Sequence, residues 1–99
     1  GGQEDHVSMG ATACMNLMSA LDRFTDVLAA ELLIAAEAAE DLPAPMATAL
    51  NQLHRLVRVQ VPALQSDRST AEDLRRITEH LRDGRWWSEL AGTTALMDA

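Results

Sequence analysis

From Val27 to Ala39 the chain reads VLAAELLIAAEAA, apolar at every position except Glu31 and Glu37. Wound as an α-helix, this run is apolar around nearly its whole circumference, and such a helix belongs inside something large. Upstream, Cys14, Leu17, Leu21, Phe24 and Leu28 recur at steps of three and four and form a single apolar stripe. Together these segments predict one long core helix over residues 8–41, several times the usual three turns. Its abundant alanines permit close approach of neighbouring helices. The run is too short to span a bilayer and carries two carboxylates, so no membrane crossing is expected.

Pro43 and Pro45 end that helix and open a short turn. A second helix is expected over 45–61, with Met46, Leu50, Leu53 and Val57 inward and Asn51, Gln52, Arg55 and Arg58 outward. Pro62 stops it. Ser69 followed by Glu72 has the form of a capping box, opening a third helix over 69–83 with Leu74, Ile77 and Leu81 inward. Gly84 is a suitable C-cap, with Arg82 beside it to complement the helix dipole. Trp86, Trp87 and Leu90 are expected to dock in a short final turn, and the tail from Gly92 is expected to fray. The fold class is all-α: a long buried core helix plus two or three shorter ones. Ala and Leu dominate and aromatics make up only 3%, which favours helix over sheet. Two modest helices cannot cover an all-round apolar one, so residues 1–99 are expected to be part of a larger protein or an obligate oligomer.

A net charge of −7 argues against nucleic acid and against an anionic membrane surface, both of which need clustered basic side chains. Cys14 is the sole cysteine, so no disulfide forms within the chain, and a reducing, cytoplasmic setting fits. No pair among His6, Cys14, His54 and His80 has metal-ligand spacing, and no metal site is expected. His54 and His80 fall on polar helix faces and are expected to be solvated. Glu31, on an otherwise apolar stripe, is expected to need a cationic partner from another segment. Met9, Met15, Met18 and Met46 read as core filler.

Chemistry concentrates in residues 1–10. Gln3-Glu4-Asp5-His6-Val7-Ser8-Met9 packs two carboxylates, an imidazole, a hydroxyl and an amide directly ahead of the apolar helix. Polar groups are costly to bury without partners, so their concentration here marks a site. Glu4 is the leading acid–base or ligand-orienting candidate. On spacing alone, Glu4 and Asp5 would simply cap the helix, and Ser8 reads as its N-cap.

That heptapeptide resembles the C-terminal active-site motif of the histidine ammonia-lyases. These belong to the lyases and aminomutases that use a methylidene-imidazolone (MIO) electrophile. Two further landmarks fit the resemblance: Glu31-Leu32 followed by Ala35, and Asp67-Arg68 followed by Asp73-Leu74. The resemblance runs from Gln3 to about Gly84. It implies a mostly helical homotetramer with long central helices and active sites shared between subunits. It also implies elimination of ammonia from an aromatic amino acid, with histidine giving urocanate. Glu4 stands at a position facing the substrate, with a contact to the imidazole ring. Gln3 and His6 accompany it as substrate-binding candidates. Plant phenylalanine ammonia-lyases have Gln where Glu4 stands, so Glu4 points to histidine. Gly2 stands where many histidine enzymes have Asn.

The MIO group forms autocatalytically from Ala-Ser-Gly, and the family's base is a Tyr. This chain has no Ala-Ser-Gly tripeptide and no Tyr. It is therefore expected to be the C-terminal segment of such an enzyme, inactive alone and completed by the remainder of the same polypeptide. The alternatives are a tyrosine or phenylalanine ammonia-lyase, a 2,3-aminomutase, or a non-catalytic helical oligomerisation module.

Overall fold

A computed structural model describes the backbone of residues 2–98 and the side chains of residues 9–92. Four helices follow one another: α1 Gly2–Ala39, α2 Thr48–Gln60, α3 Ala71–Asp83 and α4 Arg85–Asp98. There is no strand among the described residues. The chain is all-α.

The first helix begins at Gly2 and not near Ser8. Gln3 to Met9 contains no proline to break it, and acidic residues at positions 4 and 5 suit a helix N-terminus. The motif therefore lies inside α1, and Ser8 is within the helix, not at its cap. At the far end the amides of Glu40, Asp41 and Leu42 bond the carbonyls three residues back, at 3.2, 3.4 and 3.3 Å. This tightened turn satisfies the last carbonyls before Pro43 forbids continuation.

The second helix starts at Thr48, three residues after Pro45, and Asn51 ties down its entry, its backbone amide bonding the Ala47 carbonyl and its side-chain amide the Met46 carbonyl, both at 2.9 Å. The capping box does not form. Thr70 occupies the N-cap of α3 without a side-chain hydrogen bond, and the Ser69 hydroxyl stands 3.5 Å from the Ala71 amide. Glu72 turns along the helix to Arg75 and Arg76 instead. Charge-assisted bonds to guanidinium outcompete the return to the cap. Gly84 adopts φ +79°, the left-handed C-cap that an L-residue resists, and α4 starts at the next residue. That restart carries the backbone as helix to Asp98, where fraying was expected.

The core sits where the last third of α1 meets the other helices. It comprises Ala29, Leu33, Ala36, Val57, Val61, Ile77 and Trp86, with Leu32, Leu53, Leu56, Leu74 and Leu81 packed against it. Ile77 and Leu74 face inward as their spacing predicts. In α2, Leu50 is exposed and Leu56 takes the inner role, because α1 and α4 approach that helix from different sides. Within this chain the burial of α1 is confined to its C-terminal third. Met9, Met15, Leu17, Met18, Leu21 and Phe24 are all exposed, and the helix first meets the body where Asp22 pairs with Arg82 at 3.5 Å. The methionines at 9, 15 and 18 fill no core of this chain.

Candidate functional site

The motif lies in the first turns of α1 as described. Residues 3–8 are helical in backbone, so Gln3, Glu4 and His6 share the first two turns of one rod. The side chains of Gln3, Glu4 and His6 lie outside the described residues. The next turns are described: Met9, Thr12, Ala13 and Asn16 border a shallow, mainly apolar surface groove. Regular helix from Gly2 to Ala39 makes the motif end continuous with the packed end, with no proline between them.

Three polar clusters hold the packed end. At the α1–α2 elbow, Arg58 donates from Nε to Glu40 Oε1 at 2.7 Å, and its Nη2 lies 3.1 Å from Glu37 Oε1. The second contact is an ion pair without an aligned hydrogen bond, so it is a Coulombic contact alone. Arg58 also donates to the Val61 carbonyl at 3.2 Å, and its side chain is only 15% exposed. Glu37 accepts the Leu64 backbone amide at 3.1 Å. His54 Nε2 bonds Glu40 Oε1 at 3.0 Å. The hydrogen bond from Arg58 holds the Glu40 carboxyl below its usual range, partly opposed by desolvation and reinforced by His54. His54 is thus paired, not merely solvated, and Arg58 is inward where α2's outer face was expected. Sequence reasoning missed this cluster. Its signal was two acids three apart at the end of one helix, Glu37 on it and Glu40 just past it, and two bases four apart on the next.

The second cluster closes the α2–α3 connection. Arg68 Nε bonds Asp73 Oδ2 at 3.1 Å, and the buried Asp73 carboxylate belongs to the Asp67-Arg68…Asp73-Leu74 landmark. That landmark therefore has a structural role here. In the third cluster His80 Nδ1 bonds the Arg76 carbonyl at 2.8 Å, and the ring lies 5.3 Å from that of Trp86. Trp86 is buried and Trp87 is exposed, so only the first docks. On the outside of α3, Arg75 joins Glu72 and Glu79, and hydrogen bonds from Arg75 and then Arg76 bring the Glu72 carboxyl down to about 2 against opposing desolvation.

Glu31 is exposed, and no ion pair to it occurs among the described residues. No group of three His, Cys, Asp or Glu among them could hold a metal ion. No helix among them is long and apolar enough to cross a membrane. The polar clusters of the packed end tie helices together, and the candidate chemistry stays with residues 3–9 at the other end of α1.

A family model described as aromatic amino acid lyase matches residues 1–59, which include the whole of α1 and most of α2. A histidine ammonia-lyase of Natranaerobius thermophilus is 39% identical over 92 residues, covering 92% of this chain and 18% of that protein. One from Caenorhabditis elegans is 37% identical over 86 residues, covering 86% of this chain and 13% of its own length. One from Myxococcus xanthus is 33% identical over 95 residues, covering 95% and 19%. The chain thus spans less than a fifth of the length of these relatives. No solved structure matches.

Proposed function

This chain belongs to the aromatic amino acid lyase family, and from that premise we propose that it is the C-terminal part of an ammonia-lyase that converts histidine to urocanate. The observation that carries the reading is the Gln3–Met9 string. It falls inside the residues matched by the family model, in a chain whose relatives include histidine ammonia-lyases at 33–39% identity. Glu4 is proposed to face the bound substrate and accept a hydrogen bond from its imidazole ring. Gln3 and His6 are proposed to complete that side of the pocket.

The residues present do not fit the MIO group itself. The chain has neither the Ala-Ser-Gly tripeptide nor a Tyr, so electrophile and base are assigned to other segments of a longer polypeptide. The role left to these residues is binding and orientation. A rigid helix presenting Glu4 lowers the entropic cost of aligning the substrate. The chain alone is accordingly proposed to be inactive, and the active form to be a cytoplasmic homotetramer acting on a small amino acid.

The test is ultraviolet product formation by the full-length parent protein, offered histidine, tyrosine and phenylalanine separately. Urocanate from histidine alone supports the reading. Coumarate or cinnamate would keep the family chemistry and overturn the substrate. Conversion to a β-amino acid would mean an aminomutase. No consumption of any of the three would favour a non-catalytic helical module.

A further inference from the structure

The two ends of α1 differ in what supports them. Toward Ala39 the helix is held by the core through Ala29, Leu33 and Ala36, and Glu37 adds the Leu64 amide and Arg58. From Met9 to Phe24 every residue is exposed. The contact of Asp22 with Arg82 joins two side chains that are each more than half exposed, so it contributes little.

The exposed stretch has little support of its own. Residues 9–21 contain no charged side chain, so no i,i+4 ion pair runs along them. Gly10, Thr12, Asn16 and Ser19 all favour helix less than alanine does. The packed end supplies the helix nucleus, but each residue added beyond it gains only a near-neutral propagation step. Unwinding these turns breaks backbone hydrogen bonds and uncovers no core residue.

We propose that α1 comprises two thermodynamic units: an anchor that includes Ala29–Ala39 and unfolds with the core, and an arm, Met9–Leu21, that opens and closes while the core stays folded. The arm is a conformational device, because it lies between the motif and the body and its state changes without disturbing either the core or the elbow at Arg58. The stiffness that the proposed role of Glu4 calls for is then set by the surroundings of the arm in the parent protein, and only this consequence rests on that role.

The test uses the purified 99-residue chain without substrate, so its outcome is separate from that of the lyase reading. Ala13→Pro breaks the arm at an exposed position. It is expected to reduce the helical circular dichroism and to leave unchanged the urea midpoint read by tryptophan fluorescence, to which the buried Trp86 contributes. Leu33→Ala, in the anchor, is expected to lower that midpoint and shows that the readout responds. Hydrogen exchange at low protein concentration is expected to be at least about 100-fold faster at the amides of residues 10–21 than at those of residues 29–36, after correction for intrinsic rates. A midpoint that falls in A13P, a failure of that chain to fold, or arm amides protected as well as those of the anchor would overturn the proposal.

Discussion

Arg68 reaches Asp73 across five residues of chain, and their 3.1 Å ion pair fastens the α2–α3 connection to the start of α3. The same guanidinium donates from Nη2 to the Pro62 carbonyl at 2.6 Å, so one side chain spans both ends of the loop. Asp73 is the one buried charged residue described. Replacing Arg68 by Ala strands its carboxylate. The expected cost is about 2 kcal/mol, the range of hydrogen bonds to charged groups, read as a lower urea midpoint at unchanged slope. An R68A chain as stable as the parent would show that the loop is held otherwise.

The core predicts a sharp contrast between two β-branched residues. Ile77 is fully buried and Val59 is 77% exposed. Ile77→Ala should cost about 2–5 kcal/mol, since the hole left among four helices refills only partly. Val59→Ala should stay within about 0.5 kcal/mol. Thermal unfolding by circular dichroism measures both, and equal effects would contradict the placement of the core.

Two glycines should respond with opposite signs. Gly84 holds φ +79°, and a methyl group there would touch nothing, so Gly84→Ala meets backbone strain alone and should cost about 1 kcal/mol. Gly92 lies inside α4 in open space, and Gly92→Ala should stabilise by about 0.5–1 kcal/mol. Differential scanning calorimetry separates the two. A stabilised G84A would mean that α3 does not end in the left-handed cap.

Acid should loosen the α1–α2 elbow in a defined direction. The bond from Arg58 lowers the folded pKa of Glu40, so folding binds fewer protons there than the unfolded chain does. The stabilisation is therefore complete above the ordinary carboxylate range and is lost as pH falls through the lowered value. Glu72, brought to about 2 by Arg75 and Arg76, gives up its share last. Unfolding midpoints measured from pH 7 down to 2 should fall, and Glu40→Gln should flatten the upper part of that fall. An E40Q curve parallel to the parent's would refute the assignment.

The motif makes its own prediction in the parent enzyme. If Glu4 accepts the imidazole hydrogen bond, Glu4→Gln should lower kcat/KM for histidine by about 10- to 100-fold, the worth of one charged hydrogen bond. It should leave phenylalanine turnover, if any, unchanged or raised. Equal losses on both substrates would assign Glu4 a positioning role within the helix.

Helical class, the breaks at Pro43 and Pro62, the Gly84 cap and the inward faces of Leu74 and Ile77 were all legible in the sequence, because each follows from local chemistry. What escaped is tertiary. Ser69 and Glu72 carry a correct capping pattern, but Arg75 and Arg76 compete for the carboxylate, and competition is invisible to a four-residue motif. Arg58 looks like a surface residue until Glu37 and Glu40 are brought beside it by the turn at Pro43. The stripe at Leu17 and Phe24 was read as buried because apolarity marks what must be covered, not what covers it. For Gln3, Glu4 and His6 the reading rests on sequence and relatives, since their side chains lie outside the described residues.

The unbroken α1 also acts as a phase standard. Each residue turns the helix by about 100°, so the direction of the motif positions is set by the count of residues back to Ala29 and Leu33. A single insertion near Ala20 would leave every local preference intact and yet swing positions 3–8 through more than a quarter circle. Seven inserted residues would nearly restore their bearing but carry them about 10 Å farther out. On the proposed role of Glu4, spacing along this rod matters as much as any side chain on it, and a length change there is a change of aim.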